Sequence, residues 1–350
     1  MDNTASIYPN FVFGNILLGL ALALILSRVA IWFARRTGLI DIPGVLPHKT
    51  HSHPIPLAGG ITLLLTLLVG GFTFNISMLQ EYWKILVPAL IIFGVGLWDD
   101  YRRLPPGIKI IGQLAATILL IAMGTSVQII PADFLGLPGK WYHVVNLLIT
   151  GLWVVGITNA FNFIDSMDGV VVGIGGIAVS FFLLVTLNSP QVSLLRFLTL
   201  LIGGCIGLFF YNMTPARMFL GDSGAQTFGF LLAAIGIIYN PVQFPQGSSW
   251  FLPILILGVP IFDTCLVVFS RLRHKKYFYQ AGHDHTYHRL FKLGMSSTHA
   301  VAVMHITTIV LGCLAFIALH LAPFFANILF GLILLVGFLV YLFLERKRNE

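Results

Sequence analysis

Hydrophobic positions fall in eleven continuous runs, at about 11–33, 57–74, 83–98, 108–123, 144–160, 170–187, 194–211, 225–239, 250–270, 299–320 and 323–344. Roughly 20 apolar residues span a bilayer core as a helix, so these runs predict membrane-crossing helices. A transmembrane barrel would alternate polar and apolar residues, and these runs are unbroken. The loops between them are short, and the longest polar stretch is about 271–298. The expected fold is all-α: a polytopic integral membrane protein of about eleven transmembrane helices, one domain over residues 1–350.

Composition excludes the alternatives. Of 350 residues, 57% are hydrophobic and 9% charged. Soluble domains carry about 25% charged residues. A water-soluble enzyme is excluded, and so is a disordered chain, which needs low hydrophobicity. Cys205, Cys265 and Cys313 lie inside apolar runs without metal-ligand spacing. The N-terminal segment lacks the basic stretch of a signal peptide, so the first run reads as a retained span.

Charge placement orients the chain. With the N-terminus outside, seventeen Lys and Arg residues face inward and only Lys84, Lys140 and Arg196 face outward. That asymmetry follows the positive-inside rule and puts the C-terminus in the cytoplasm of a multi-pass inner-membrane protein. Nine of thirteen acids and eight of eleven histidines then fall on the same inner side, although neither was used to set it. Acids at the ends of apolar spans are costly. A catalytic surface at the cytoplasmic boundary accounts for them, built from loops at about 34–56, 99–107, 161–169, 212–224 and 271–298.

Five motifs lie in those loops. Asp99 and Asp100 end the third span in GLWDDYRRL. Paired carboxylates suit a hard cation, although a solvated helix end beside Arg102 and Arg103 explains them equally well. In NAFNFIDSMDG, Asn162, Asp165 and Asp168 are spaced by three, which on a helical turn puts them on one face for a metal or a nucleoside. In ARMFLGDSGAQTFGF, Asp222 lies in a Gly-Asp-Ser-Gly turn before the eighth span, where glycines admit a close ligand and a helix N-terminus favours phosphate. Taken alone, Asp222 is also an ordinary helix cap. The 271–294 loop carries Asp284, His285, His288 and Arg289. No cysteine lies nearby, so anion binding is expected there rather than zinc. Lys49, His51 and His53 precede a Pro/Gly turn and resemble an anion clamp. Asp263 lies deeper, in VPIFDT, where it is either functional or a helix–helix tie.

Together these motifs resemble the polyprenyl-phosphate N-acetylhexosamine-1-phosphate transferases over about residues 11–345. The double Asp, the Asn-x-x-Asp-x-x-Asp-Gly, the Gly-Asp-x-Gly and a cytoplasmic histidine cluster are matched at Asp99–Asp100, Asn162–Gly169, Gly221–Gly224 and His285–His288. The chain departs at Ser166-Met167, usually Gly-Leu, and at Tyr287, where the family often has a third histidine. The stretch from Lys49 to Gly60 is similar to the teichoic-acid and common-antigen branch rather than the lipid I branch, which favours a donor without a peptide.

The resemblance implies transfer of N-acetylhexosamine-1-phosphate, GlcNAc-1-phosphate first, from a UDP-sugar to polyprenyl phosphate, with release of UMP. The alternatives are lipid I synthesis and, from another class, a nucleotide-sugar or lipid-sugar transporter. Phosphoryl transfer depends on charge neutralisation and alignment. The implied cofactor is Mg²⁺, with Mn²⁺ as a substitute, held by Asp222 with Asp100. Asp99, Asp100 and His285 are the expected catalytic residues, and Lys49, His51, Asn162, Asp165, Asp168, His288 and Arg289 the expected substrate ligands. Membrane lipid is a further partner, nucleic acid is not, and a homodimer is left open.

Overall fold

The computed structural model describes residues 4–43, 53–129, 141–187, 189–275 and 284–348. The described residues are mostly helical, with one two-stranded ribbon among them. Its order is α1 (Thr4–Thr37), β1 (Ile40–Asp41), β2 (Ile55–Pro56), α2 (Gly59–Phe74), α3 (Ile76–Arg102), α4 (Pro106–Ala122), α5 (Trp141–Ile164), α6 (Val170–Thr186), α7 (Val192–Asn212), α8 (Gly221–Ile238), α9 (Gln246–Ser249), α10 (Leu252–Ile256), α11 (Gly258–Arg273), α12 (Thr286–Lys292), α13 (Ser297–Leu319) and α14 (Pro323–Arg348).

Every apolar run of the sequence lies on a helix, as lipid demands of a chain that must satisfy its own backbone. Among the described residues, seven helices are long and apolar enough to cross a membrane: α1, α3, α5, α7, α8, α13 and α14. The ninth run is interrupted, and its halves, Gln246–Ile256 and Gly258–Arg273, meet at 66°. The apolar helices α2, α4 and α6 are shorter. The chain is a polytopic helical membrane protein.

The helices divide into two units, Met1–Tyr239 and Asn240–Glu350. In the first, α8 is the buried axis, and Phe228, Phe230, Leu231 and Leu232 are fully enclosed. α2, α3, α5 and α6 pack around it. Two close approaches set its N-terminus. A Cβ on Gly96 of α3 would lie 2.5 Å from Ser223 Cα, and one on Gly60 of α2 would lie 2.6 Å from Ser223 Oγ. Only glycine lets these helices close, and Gly96 lies one turn before Asp99 and Asp100. The ribbon pins the same region: Phe219 N donates to Pro56 O at 3.0 Å, and Gly60 N to Leu220 O at 3.1 Å.

In the second unit, α12 is held by charge. Arg289 Nη1 donates to Glu345 Oε2 of α14 at 2.7 Å, and both side chains are buried. Ser270 Oγ of α11 donates to Glu345 Oε1 at 3.1 Å. Breaking a buried pair strands its partner at about 3–5 kcal/mol. Glu345→Gln should therefore lower the thermal unfolding midpoint in detergent.

Candidate active site

The residues that carry chemistry in the first unit gather where α3, α4 and α8 meet. Asp99 is on the last turn of α3. Lys109 is in the first turn of α4, where a cation opposes the helix dipole unless acids compensate it. They do. Lys109 Nζ lies 2.7 Å from Asp99 Oδ2 and 2.5 Å from Asp222 Oδ2. Asp99 Oδ1 also accepts from Leu104 N at 2.5 Å, which closes the turn after α3.

Asp100 is turned the other way. Its Oδ1 accepts from Asp222 N at 2.7 Å. Its Oδ2 accepts from Ser223 N at 3.1 Å and from Ser223 Oγ at 2.6 Å. These are the unpaired amides that open α8, so Asp100 caps that helix from a distance of 122 residues in sequence. Gly221 (φ +73°) makes the turn, and a Cβ there would lie 2.7 Å from Asp100 Oδ2. Asp222 is therefore not the cap of its own helix. It sits in the first turn with its carboxylate on Lys109.

The second motif lies beside this cluster. α5 ends at Ile164, so Asn162 is on its last turn while Asp165 and Asp168 occupy the turn that follows. The single helical face expected for the three does not form, because Asp-Ser-Met-Asp-Gly favours a turn, closed by left-handed Gly169 (φ +77°). Asp168 Oδ2 accepts from Ala216 N at 3.1 Å, which ties this turn to the segment before α8. Burial, then the charges of Asp222, Asp100 and Asp168, hold the Asp165 carboxyl well above the usual carboxylate range.

Among the described residues, no three His, Cys, Asp or Glu side chains converge on a metal position. Two carboxylate oxygens do converge on one positive charge, that of Lys109. Mg²⁺ needs little more, since it takes one or two carboxylates and completes its shell with water and phosphate. Asp222 and Asp99 fit that requirement. Asp100, the partner expected from sequence, turns its oxygens to the opening amides of α8, whereas Asp99 and Asp222 both face Lys109.

In the sequence Lys109 stands out only as an inner charge. The available signal was a lone lysine opening an otherwise apolar helix. Gln113 and Gln226, buried glutamines one turn beyond Lys109 and Asp222, carry no motif of their own.

In the second unit, the fully buried Asp263 accepts from Thr286 N at 2.6 Å and pairs with His285 Nδ1 at 2.8 Å. It thus anchors the start of α12 and orients the His285 ring. Tyr287, in the place of a family histidine, is buried and stacks on His285 at 5.9 Å with an interplanar angle of 13°. His288 lies against Tyr287 at 4.0 Å. Arg289 is turned inward to Glu345. Lys49 and His51 lie outside the described residues.

Residues 82–240 match the family described as Glycosyl transferase family 4. A Bacillus subtilis protein named "Probable undecaprenyl-phosphate N-acetylglucosaminyl 1-phosphate transferase" is 30% identical over 293 residues, covering 83% of this chain and 80% of that protein. The chain belongs to the polyprenyl-phosphate hexosamine-1-phosphate transferase family. Other members similar to it include the decaprenyl-phosphate N-acetylglucosaminephosphotransferase of Mycobacterium tuberculosis, 28% identical over 78% of this chain and 74% of that one. The phospho-N-acetylmuramoyl-pentapeptide-transferase of Halalkalibacterium halodurans is 29% identical over 78% of this chain and 87% of that one. This transferase is thus a multi-pass membrane enzyme that moves a sugar-1-phosphate onto a polyprenyl phosphate. The matched region contains Asp99, Asp100, Lys109, Asn162, Asp165, Asp168 and Asp222.

Proposed function

We propose that the protein transfers GlcNAc-1-phosphate from UDP-GlcNAc to a polyprenyl phosphate such as undecaprenyl phosphate at the cytoplasmic face of the inner membrane, and releases UMP. The observation that carries this reading is Lys109 held between Asp99 and Asp222, with Asp165 and Asp168 alongside. Two anionic substrates must be brought together there, and the reaction needs charge neutralisation and alignment more than covalent chemistry.

Asp222, with Asp99 as second carboxylate, would hold Mg²⁺. When bound, the ion neutralises the diphosphate and polarises the phosphorus under attack. Lys109 contacts the phosphate oxygens as a point charge reaching in from α4. Asp100 keeps the α8 amides, and with them Asp222, in place. Asn162, Asp165 and Asp168 hold the nucleoside. In the second unit, His285 is an anion-binding group oriented through Nδ1 by Asp263, and His288 accompanies it. The lipid phosphate attacks directly and UMP leaves. No residue is assigned a covalent intermediate.

The relatives include enzymes named for both GlcNAc and MurNAc-pentapeptide transfer, so the donor decides the branch. Purified protein in detergent, with Mg²⁺ and undecaprenyl phosphate, should release UMP from UDP-GlcNAc and much less from UDP-GalNAc or UDP-MurNAc-pentapeptide. Faster turnover of the pentapeptide donor would move the chain to lipid I synthesis. Uptake of UDP-sugar into proteoliposomes without UMP release would make it a transporter.

A further inference from the structure

Behind the carboxylates runs a chain of amides, two of them buried, that the proposed reaction does not use. Lys109 and Gln113 are four apart on α4, and Asp222 and Gln226 are four apart on α8, so each pair shares a helix face. The second layer therefore repeats the first one turn further in. Gln113 Nε2 donates to Gln226 Oε1 at 2.9 Å and to Asn159 Oδ1 of α5 at 3.2 Å. Asn159 Nδ2 returns a bond to Gln113 Oε1 at 2.6 Å and gives its other proton to Val155 O at 2.8 Å. Gln226 Nε2 lies 3.4 Å from Asp222 Oδ2. Gln113 and Gln226 are 2% and 1% exposed.

The polarity of this chain is forced. A backbone carbonyl only accepts, so Val155 O fixes which end of the Asn159 amide faces it. That choice orients Gln113, and Gln113 orients Gln226. The last group therefore presents N–H toward Asp222, whose carboxylate can accept it. Three amides in helices this apolar are expensive unless fully paired, and apolar side chains would pack the helices without that penalty.

We propose that Asn159, Gln113 and Gln226 are positioning residues that aim the Asp222 carboxylate at the cation between α3, α4 and α8. The inference rests on the reading of Asp222 as the metal-holding acid. Outer partners of metal ligands typically change metal affinity or activity by about 10–100-fold when removed.

The test uses the full-length protein in detergent, with Gln113→Met and Gln226→Met, which keep length and helix propensity but remove the amide. Mn²⁺ affinity is measured by electron paramagnetic resonance without substrates, and UMP release is measured separately. Both variants should bind Mn²⁺ about tenfold more weakly. Their kcat should fall by a similar factor, with KM for UDP-GlcNAc within about twofold, because the nucleoside contacts are untouched. A variant that melts early is replaced by Gln113→Asn, which keeps the amide but withdraws it by one methylene. Wild-type Mn²⁺ affinity and kcat in folded variants would overturn the proposal. If the wild type binds Mn²⁺ and the variants bind it less, but no UDP-sugar yields UMP, the amide chain stands and the proposed reaction fails. If Asp222→Asn itself leaves Mn²⁺ affinity unchanged, the metal assignment fails and takes this proposal with it.

Discussion

Lys109→Met should reduce UMP release by about 10²–10³-fold, the loss typical when one preorganised charge is removed from a reacting centre. The substitution keeps the length and most of the apolar stem, and α4 remains a good helix. What disappears is the ammonium 2.7 Å from Asp99 and 2.5 Å from Asp222. Two carboxylates then face each other without their resident cation, and the phosphate loses its point charge. Lys109→Arg should recover only part of the rate, because the planar guanidinium is bulkier and presents its protons in a fixed fork. The measurement is steady-state UMP release with saturating UDP-GlcNAc and lipid phosphate. Turnover of Lys109→Met within about twofold of wild type would remove Lys109 from the site.

The second large effect is on folding. Asp100→Ala should destabilise the first unit by about 3 kcal/mol or more, since hydrogen bonds to a charged acceptor are worth about 1.5–3 kcal/mol each. Asp100 takes three, from Asp222 N, Ser223 N and Ser223 Oγ. Without it, the opening amides of a buried helix have no acceptor there and Gly221 loses the group its turn is built against. Asp100→Asn keeps one acceptor oxygen but places an NH₂ against donors, so it should fall between alanine and wild type. The readout is the thermal unfolding midpoint in detergent with excess EDTA. If Asp100 served only as a metal ligand, Asp100→Ala would melt like wild type under those conditions.

These two residues show how much of the site was legible beforehand. Asp99, Asp100 and Asp222 stood out because acids beside apolar spans are rare and costly. Their different tasks did not. Asp99 and Asp100 are sequence neighbours, so they leave α3 about 100° apart, and which one meets Lys109 depends on the rotation of α3 against α8. Gly96 and Gly60 set that rotation through contacts with Ser223, well over 100 residues away in sequence. Asp263 followed the same logic in the second unit. Its depth marked it as unusual, but its partners, His285 and Thr286, are 22 and 23 positions away. The helical face expected for Asn162, Asp165 and Asp168 does not form for a local reason: a spacing of three shares a face only on a helix, and the residues between favour a turn.

The sequence by itself determined the class of the protein, the apolar runs that become helices and the acids set beside them. Each of these follows from the cost of placing polar groups in hydrocarbon, which acts residue by residue and leaves a one-dimensional record. The tertiary structure alone decided that Lys109 bridges Asp99 and Asp222, that Asp100 caps α8, that Asp263 orients His285 and that an amide chain backs the site. Those outcomes depend on helix rotation and close approach between distant segments, and no local pattern in the chain encodes an angle between two helices.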